Sequence, residues 1–127
     1  MYEDEMLSLV SAEEVAHQST RPLGYKIQNG KVSPITSTED LGAEFQKDRV
    51  VASTSVSIYP KVGVSTVFLV IDHGFDDGPP VLWETMIFGG VLDGACERYA
   101  SEADAREGHA RLVAEAERVL EKGPTYA

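Results

Sequence analysis

Cysteine is almost absent from this chain: Cys96 is the only one in 127 residues. A single thiol closes no disulfide within the chain, which fits a reducing compartment. Long apolar runs are missing as well. The longest, Val67 to Ile71, is far shorter than the roughly 20 residues a helix needs to cross a bilayer. The amino terminus, MYEDEML, is acidic and lacks the basic-then-apolar order of a secretory signal. These absences together predict a soluble protein of the cytoplasm, with no membrane partner.

Positive charge is scarce. Eleven Lys and Arg stand against 21 Asp and Glu, a formal net charge of -10. Nucleic-acid binders gain affinity by placing a basic patch on phosphates and releasing counterions, so no nucleic-acid partner is expected. The scarcity is uneven. Residues 1–20 contain no Lys or Arg, and between Val62 and Ala100 the only base is Arg98. The stretch from Arg21 to Lys61 is mildly basic. Signature motifs of catalysis are also lacking: no GxSxG elbow, no Walker A lysine loop, no GxGxxG after a strand, no HExxH and no DxDxDG loop.

What is present is the alternation and punctuation of one α+β domain spanning residues 1–127. The acidic segment 1–20 carries a capping-box pattern, Ser11-Ala12-Glu13-Glu14, which predicts a short helix over 12–18. A sheet region follows over 24–100. In it, Tyr25–Gln28 and Lys31–Ile35 flank Asn29-Gly30, the dipeptide favoured where both turn positions need positive φ, so a β-hairpin is expected. Ser37 or Thr38 can cap an inserted helix near 38–48, with Leu41 and Phe45 on one apolar face. Arg49 to Tyr59 alternates, placing Val50, Ala52, Thr54, Val56 and Ile58 on one side and Val51, Ser53, Ser55 and Ser57 on the other. Val64 to His73 is apolar on both faces, the pattern of a central strand covered on two sides. A Pro- and Asp-rich turn leads to a return strand, Val81 to Phe88, and a short last strand over 95–100.

Ser101-Glu102-Ala103-Asp104 opens a C-terminal helix over 101–122, stopped by Gly123-Pro124. Its stripe of Ala105, His109, Leu112, Val113, Ala116, Val119 and Leu120 predicts packing across one face of an antiparallel meander of about four to six strands. One helix screens one side of a doubly apolar strand. A partner subunit would screen the other, so self-association, as a dimer or larger, is expected.

A few polar residues sit where packing alone does not put them. Glu84 alternates with Leu82, Met86 and Phe88, a poor setting for a bare carboxylate. It calls either for a partner, with Arg98 on the neighbouring strand the obvious one, or for a role as acid, base or ligand holder. His109 interrupts the apolar stripe of the last helix and reads as a satisfied core residue or as a ligand or catalytic group. Gly108 beside it allows the helix a close approach, at a propensity cost of roughly 1 kcal/mol. Asp72 and His73 end the central strand, with Asp76 and Asp77 in the turn. That is ordinary turn chemistry or, less simply, an oxygen-rich metal site, although no complete ligand motif is present. Tyr99, with Trp83 and Phe75, can line a pocket or fill the core. Cys96 has acidic neighbours, which disfavour a reactive thiolate. No metal and no cofactor are called for.

From about Val50 to Val113 the chain resembles a family of small uncharacterised proteins encoded by bacteriophages and prophages, many of actinobacterial hosts. The resemblance rests on Ser65-Thr66-Val67-Phe68-Leu69-Val70-Ile71-Asp72-His73, Gly78-Pro79-Pro80, Trp83-Glu84-Thr85-Met86-Ile87-Phe88, Glu97-Arg98-Tyr99 and Gly108-His109. It departs from the family pattern at Val70, where Gly is usual, and at Trp83, where Phe is usual. The resemblance implies a small phage product acting in the host cell and assigns no activity.

Two functions follow as expectations. One is a non-catalytic accessory protein that binds a host protein or a small ligand and self-associates. The other is a small hydrolase using Glu84 and His109, with or without a metal at Asp72 and His73, which requires those side chains to converge on one pocket. A virion component is a third reading, for which no coiled-coil, collagen-like or extended-arm segment argues.

Overall fold

A computed structural model describes residues 22–74 and 77–122. The predicted helix over 12–18 and the Gly123-Pro124 stop lie outside the described residues. The predicted class is borne out: the described residues form two antiparallel sheets, one short helix and a long C-terminal helix laid on the larger sheet. Among the described residues no helix is long and apolar enough to cross a membrane.

The first sheet is the hairpin of β1 (Gly24–Gln28) and β2 (Lys31–Ile35). Asn29 and Gly30 at its tip have φ of 54° and 78°, as a type I′ turn demands. Helix α1 (Thr38–Phe45) starts on Ser37, whose side chain accepts from the Asp40 N–H. It differs from expectation in length and in facing. It stops at Phe45, because Gln46 already turns its N–H back to the Ala43 and Glu44 carbonyls. Glu44, not Phe45, points inward: Glu44 is 3% exposed and Phe45 40%. The cause is the hairpin, whose Ile27 N–H donates to Glu44 Oε2 at 3.2 Å while Lys47 pairs with Oε1 at 2.8 Å. Phe45 lies outside, under the Arg49 guanidinium 5.3 Å from its ring centre.

The second sheet is a meander in the order β3 (Val50–Ser57), β4 (Val62–Phe68), β5 (Trp83–Phe88) and β6 (Cys96–Tyr99). Helix α2 (Glu102–Lys122) touches all four strands. Ser101 caps it by accepting from the Asp104 N–H. The simple alternation expected in β3 is broken. Register shifts between Val50 and Ala52, and between Ser55 and Ser57, insert one extra residue at each end of the strand. Such bulges move neighbours to opposite faces. Val51 therefore reaches the core and Val50 turns outward opposite Val67, while Val56 stays on the core side with Thr54.

β4 ends at Phe68, earlier than the apolar run suggests, because Val70 adopts a φ of 72°. A β-branched residue rarely takes this left-handed backbone, which costs on the order of 1–3 kcal/mol. It is held there by full burial and by the Tyr25 N–H, which donates to the Val70 carbonyl at 2.7 Å. That bond also fastens the hairpin to the end of the sheet. The core has two parts, both on the α2 side. Phe68, Val70, Leu82, Trp83, Tyr99 and Ala105 pack with Tyr25, Ile27 and Leu41 at one end. Val62, Val64, Ile87, Leu112 and Ala116 pack at the other. No described element covers the opposite face of the sheet.

Candidate functional site

The six residues singled out in the sequence are distributed among three places. His109 and Tyr99 lie on the helix-covered face, Glu84 and Arg98 on the open face, and Asp72 and His73 at the turn beyond β4.

On the covered face, α2 places His109 over the middle of the sheet. Its Nε2 lies 2.8 Å from Thr54 Oγ1 on β3, and its Nδ1 lies 2.8 Å from Thr66 Oγ1 on β4. Thr66 in turn bonds Thr85 on β5 at 2.6 Å. Thr66 and Thr85 are fully buried and His109 is 7% exposed. The Tyr99 hydroxyl donates to Glu97 Oε1 at 3.0 Å, and Glu97 takes two bonds from Arg111 Nη1, at 2.8 and 2.9 Å. One polar chain thus joins α2 to β3, β4 and β5, and a second joins β6 to the same helix. A neutral imidazole offers one donor and one acceptor, which two rotatable hydroxyls can match. Burial pushes the His109 pKa down, and the nearby Arg106 charge acts in the same direction. Both ring nitrogens are taken, so the arrangement fixes the rotation of α2 against the sheet. Burial likewise pushes the Tyr99 hydroxyl pKa up, while the Arg111 bonds hold Glu97 below the usual carboxylate range.

Gly108 makes this closeness possible. A Cβ there would lie 2.0 Å from the Tyr99 hydroxyl and 2.3 Å from its ring carbon. The Tyr99 ring passes directly beneath the helix backbone, the close approach expected from a glycine at this position.

On the open face, Glu84 sits opposite Arg98 in the β5–β6 register, and Arg98 Nε meets its Oε2 at 2.9 Å. Cys96 Sγ donates to the same oxygen at 3.3 Å. Partial desolvation, and then the Glu84 carboxylate, raise the Cys96 pKa, which leaves the thiol protonated at neutral pH. Leu82, expected beside Glu84, is instead in the core with Trp83. Within β5 the carboxylate therefore shares its face with Met86 and Phe88, and it is paired with Arg98.

Glu84 and His109 are thus on opposite faces of the sheet. The catalytic pair required by a hydrolase reading does not form, because Glu84 and Thr85 are adjacent in one strand and side chains alternate. Asp72 is engaged in the turn itself, and Phe75 and Asp76, also singled out in the sequence, lie outside the described residues. The Asp72 Oδ1 accepts from the Gly74 N–H at 2.7 Å and the Val81 N–H at 2.8 Å, closing the turn. His73 is exposed beside it. Among the described residues no group of three or more His, Cys, Asp or Glu side chains comes together.

Sequence reasoning missed Thr54, Thr66, Thr85, Glu97 and Arg111 as partners of His109 and Tyr99. A signal existed: Thr66 and Thr85 occupy core-facing positions between apolar neighbours, where a hydroxyl needs a buried partner. It also missed the inward Glu44, for which no local signal exists. Compared with protein-family models, curated proteins and solved structures, the chain matches none.

Proposed function

We propose that this is a non-catalytic accessory protein of phage or prophage origin, acting by binding in the cytoplasm of the host cell, and that the open face of the sheet is its binding surface. The observation that carries the reading is that face itself. Val50 and Phe88 on it are 49% and 52% exposed, and Val67 and Met86, on the same face, are half-buried. A contiguous apolar patch on a well-formed sheet is a typical interaction surface. The polar groups of the covered face support the same reading, because each is engaged in holding the helix to the sheet.

Native mass spectrometry of the protein from cells that produce it tests this. The expected result is a mass corresponding to an oligomer or to a complex with a companion protein or small ligand, lost when Met86 and Phe88 are both replaced by Lys. A bare monomer for both proteins would count against binding through this face.

A further inference from the structure

The relief of the open face indicates what covers it. Cross-strand partners share a face, so the register lays the outward residues in rows. Val50, Val67, Glu84 and Arg98 form the first; Ser53, Ser65, Met86 and Cys96 the second; Ser55, Gly63 and Phe88 the third. In the second and third rows the β3–β4 half carries only Ser and Gly, while the β5–β6 half carries Met86, Phe88 and Cys96. One half is a trough and the other a ridge, with the boundary between β4 and β5.

We propose that a second copy of this chain covers the face, with a two-fold axis between the two sheets and parallel to the strands. This rests on the reading of the open face as the binding surface and adds the partner and the register. Such an axis lays β3 over the partner's β6 and β4 over its β5 and keeps each row opposite itself. Phe88 then stands over Gly63 of the second copy and Met86 over Ser65, with the same contacts repeated in reverse, as an isologous interface requires. A two-fold axis across the strands instead sets ridge on ridge and trough on trough, leaving a gap beside a clash. Face-to-face sheets about 10 Å apart, with mean strand directions within about 30° of each other, accommodate interdigitated side chains of this kind.

Charge favours a second copy over a basic partner. The acidic excess of -10 is carried away from these rows, whose two charges, Glu84 and Arg98, neutralise one another. A cationic partner has nothing to pair with here. Both charges lie in an end row, and Arg98 is on an edge strand, where twisted sheets diverge and water remains. Four strands of about six residues give a footprint of about 400 Å² per copy, below the roughly 800 Å² of a standard interface. The dimer is therefore weak and concentration-dependent. Because each copy is strongly acidic elsewhere, added salt strengthens it by screening.

The register supplies a specific test. Phe88 is half exposed, and a Cβ at Gly63 would meet only the Thr54 carbonyl, at 3.6 Å. Phe88→Gly and Gly63→Phe should therefore both leave the monomer folded, checked by circular dichroism and urea unfolding. Sedimentation velocity over a concentration series should show a monomer–dimer equilibrium for the natural chain. Each single variant should weaken it about tenfold or more. The double variant, which exchanges ridge and trough, should recover most of the loss. A double variant no better than the singles overturns the register, and a chain monomeric at every concentration and salt overturns the second copy. In that last case, a companion protein lost from the Met86/Phe88 Lys variant leaves the binding role standing, whereas no companion at all removes both.

Discussion

The two faces of the four-stranded sheet carry polar groups at neighbouring positions and give them different work. Thr85 and Glu84 are adjacent in β5, yet one belongs to a buried chain of bonds and the other to a pair at the surface. Under α2, the Thr54–His109–Thr66–Thr85 chain has lost its water, so each bond replaces a solvation that is no longer available. On the open face, Glu84 and Arg98 are 16% and 45% exposed, and water competes with their attraction. Similar chemistry is therefore structural where it is covered and nearly optional where it is not.

The sharpest way to break this contrast is at His109. His109→Ala should cost about 2–4 kcal/mol in urea unfolding, since it opens a cavity and strands two hydroxyls. Replacing the group together, as Thr66→Val, Thr85→Val and His109→Leu, should cost less than the single change, because only the part-exposed Thr54 hydroxyl then loses its partner. A triple variant less stable than His109→Ala would show that the chain contributes more than satisfaction of its own atoms. Next comes Gly108→Ala. Helix propensity alone favours Ala, but the collision with the Tyr99 ring should destabilise the protein by about 1–3 kcal/mol, read as a lower melting temperature.

The pH dependence sharpens the comparison further. The folded state holds His109 neutral, its pKa pushed down by burial and Arg106, with Thr54, Thr66 and, beyond it, Thr85 the groups facing it. The unfolded chain takes up a proton near pH 6.5. Stability should therefore fall as pH drops below about 6.5, level off below the folded pKa, and be fully present above neutrality. The His109→Leu triple variant should lose this component when unfolding midpoints are compared at pH 5 and 7.5. The smallest effect belongs to the open face. Glu84→Gln should change the stability of the monomer by less than about 1 kcal/mol; a larger loss would place that pair in a less watery setting than the structure gives it.

Much of the architecture was legible because local rules carried it. Asn29-Gly30 specified its turn, Ser37 and Ser101 their caps, and the Ala105-to-Val119 stripe its buried face. The Glu84–Arg98 pair was also readable, since both residues interrupt adjacent strands and Arg98 is the only base nearby. Three features were not. Val70 leaves the strand in a left-handed conformation that its side chain disfavours, so propensity pointed the other way. The bulges of β3 turned Val50 outward, against its alternation. Glu44 displaced Phe45 from the inner face of α1 because an edge N–H of β1, distant in sequence, needed an acceptor.

The sequence by itself determined the class of the fold, its order of elements and the identity of its out-of-place polar residues, because periodicity, caps and turn residues act within a few positions of the chain. Only the tertiary structure decided which of those residues meet. Whether a side chain in a strand is buried or bare depends on what lies over its face, and parity alone separates Glu84 from Thr85. The placement of α2 made His109 a member of a chain of bonds that reaches the buried Thr66 and Thr85. The absence of any described element on the other side left Met86 and Phe88 facing outward, where a partner can reach them.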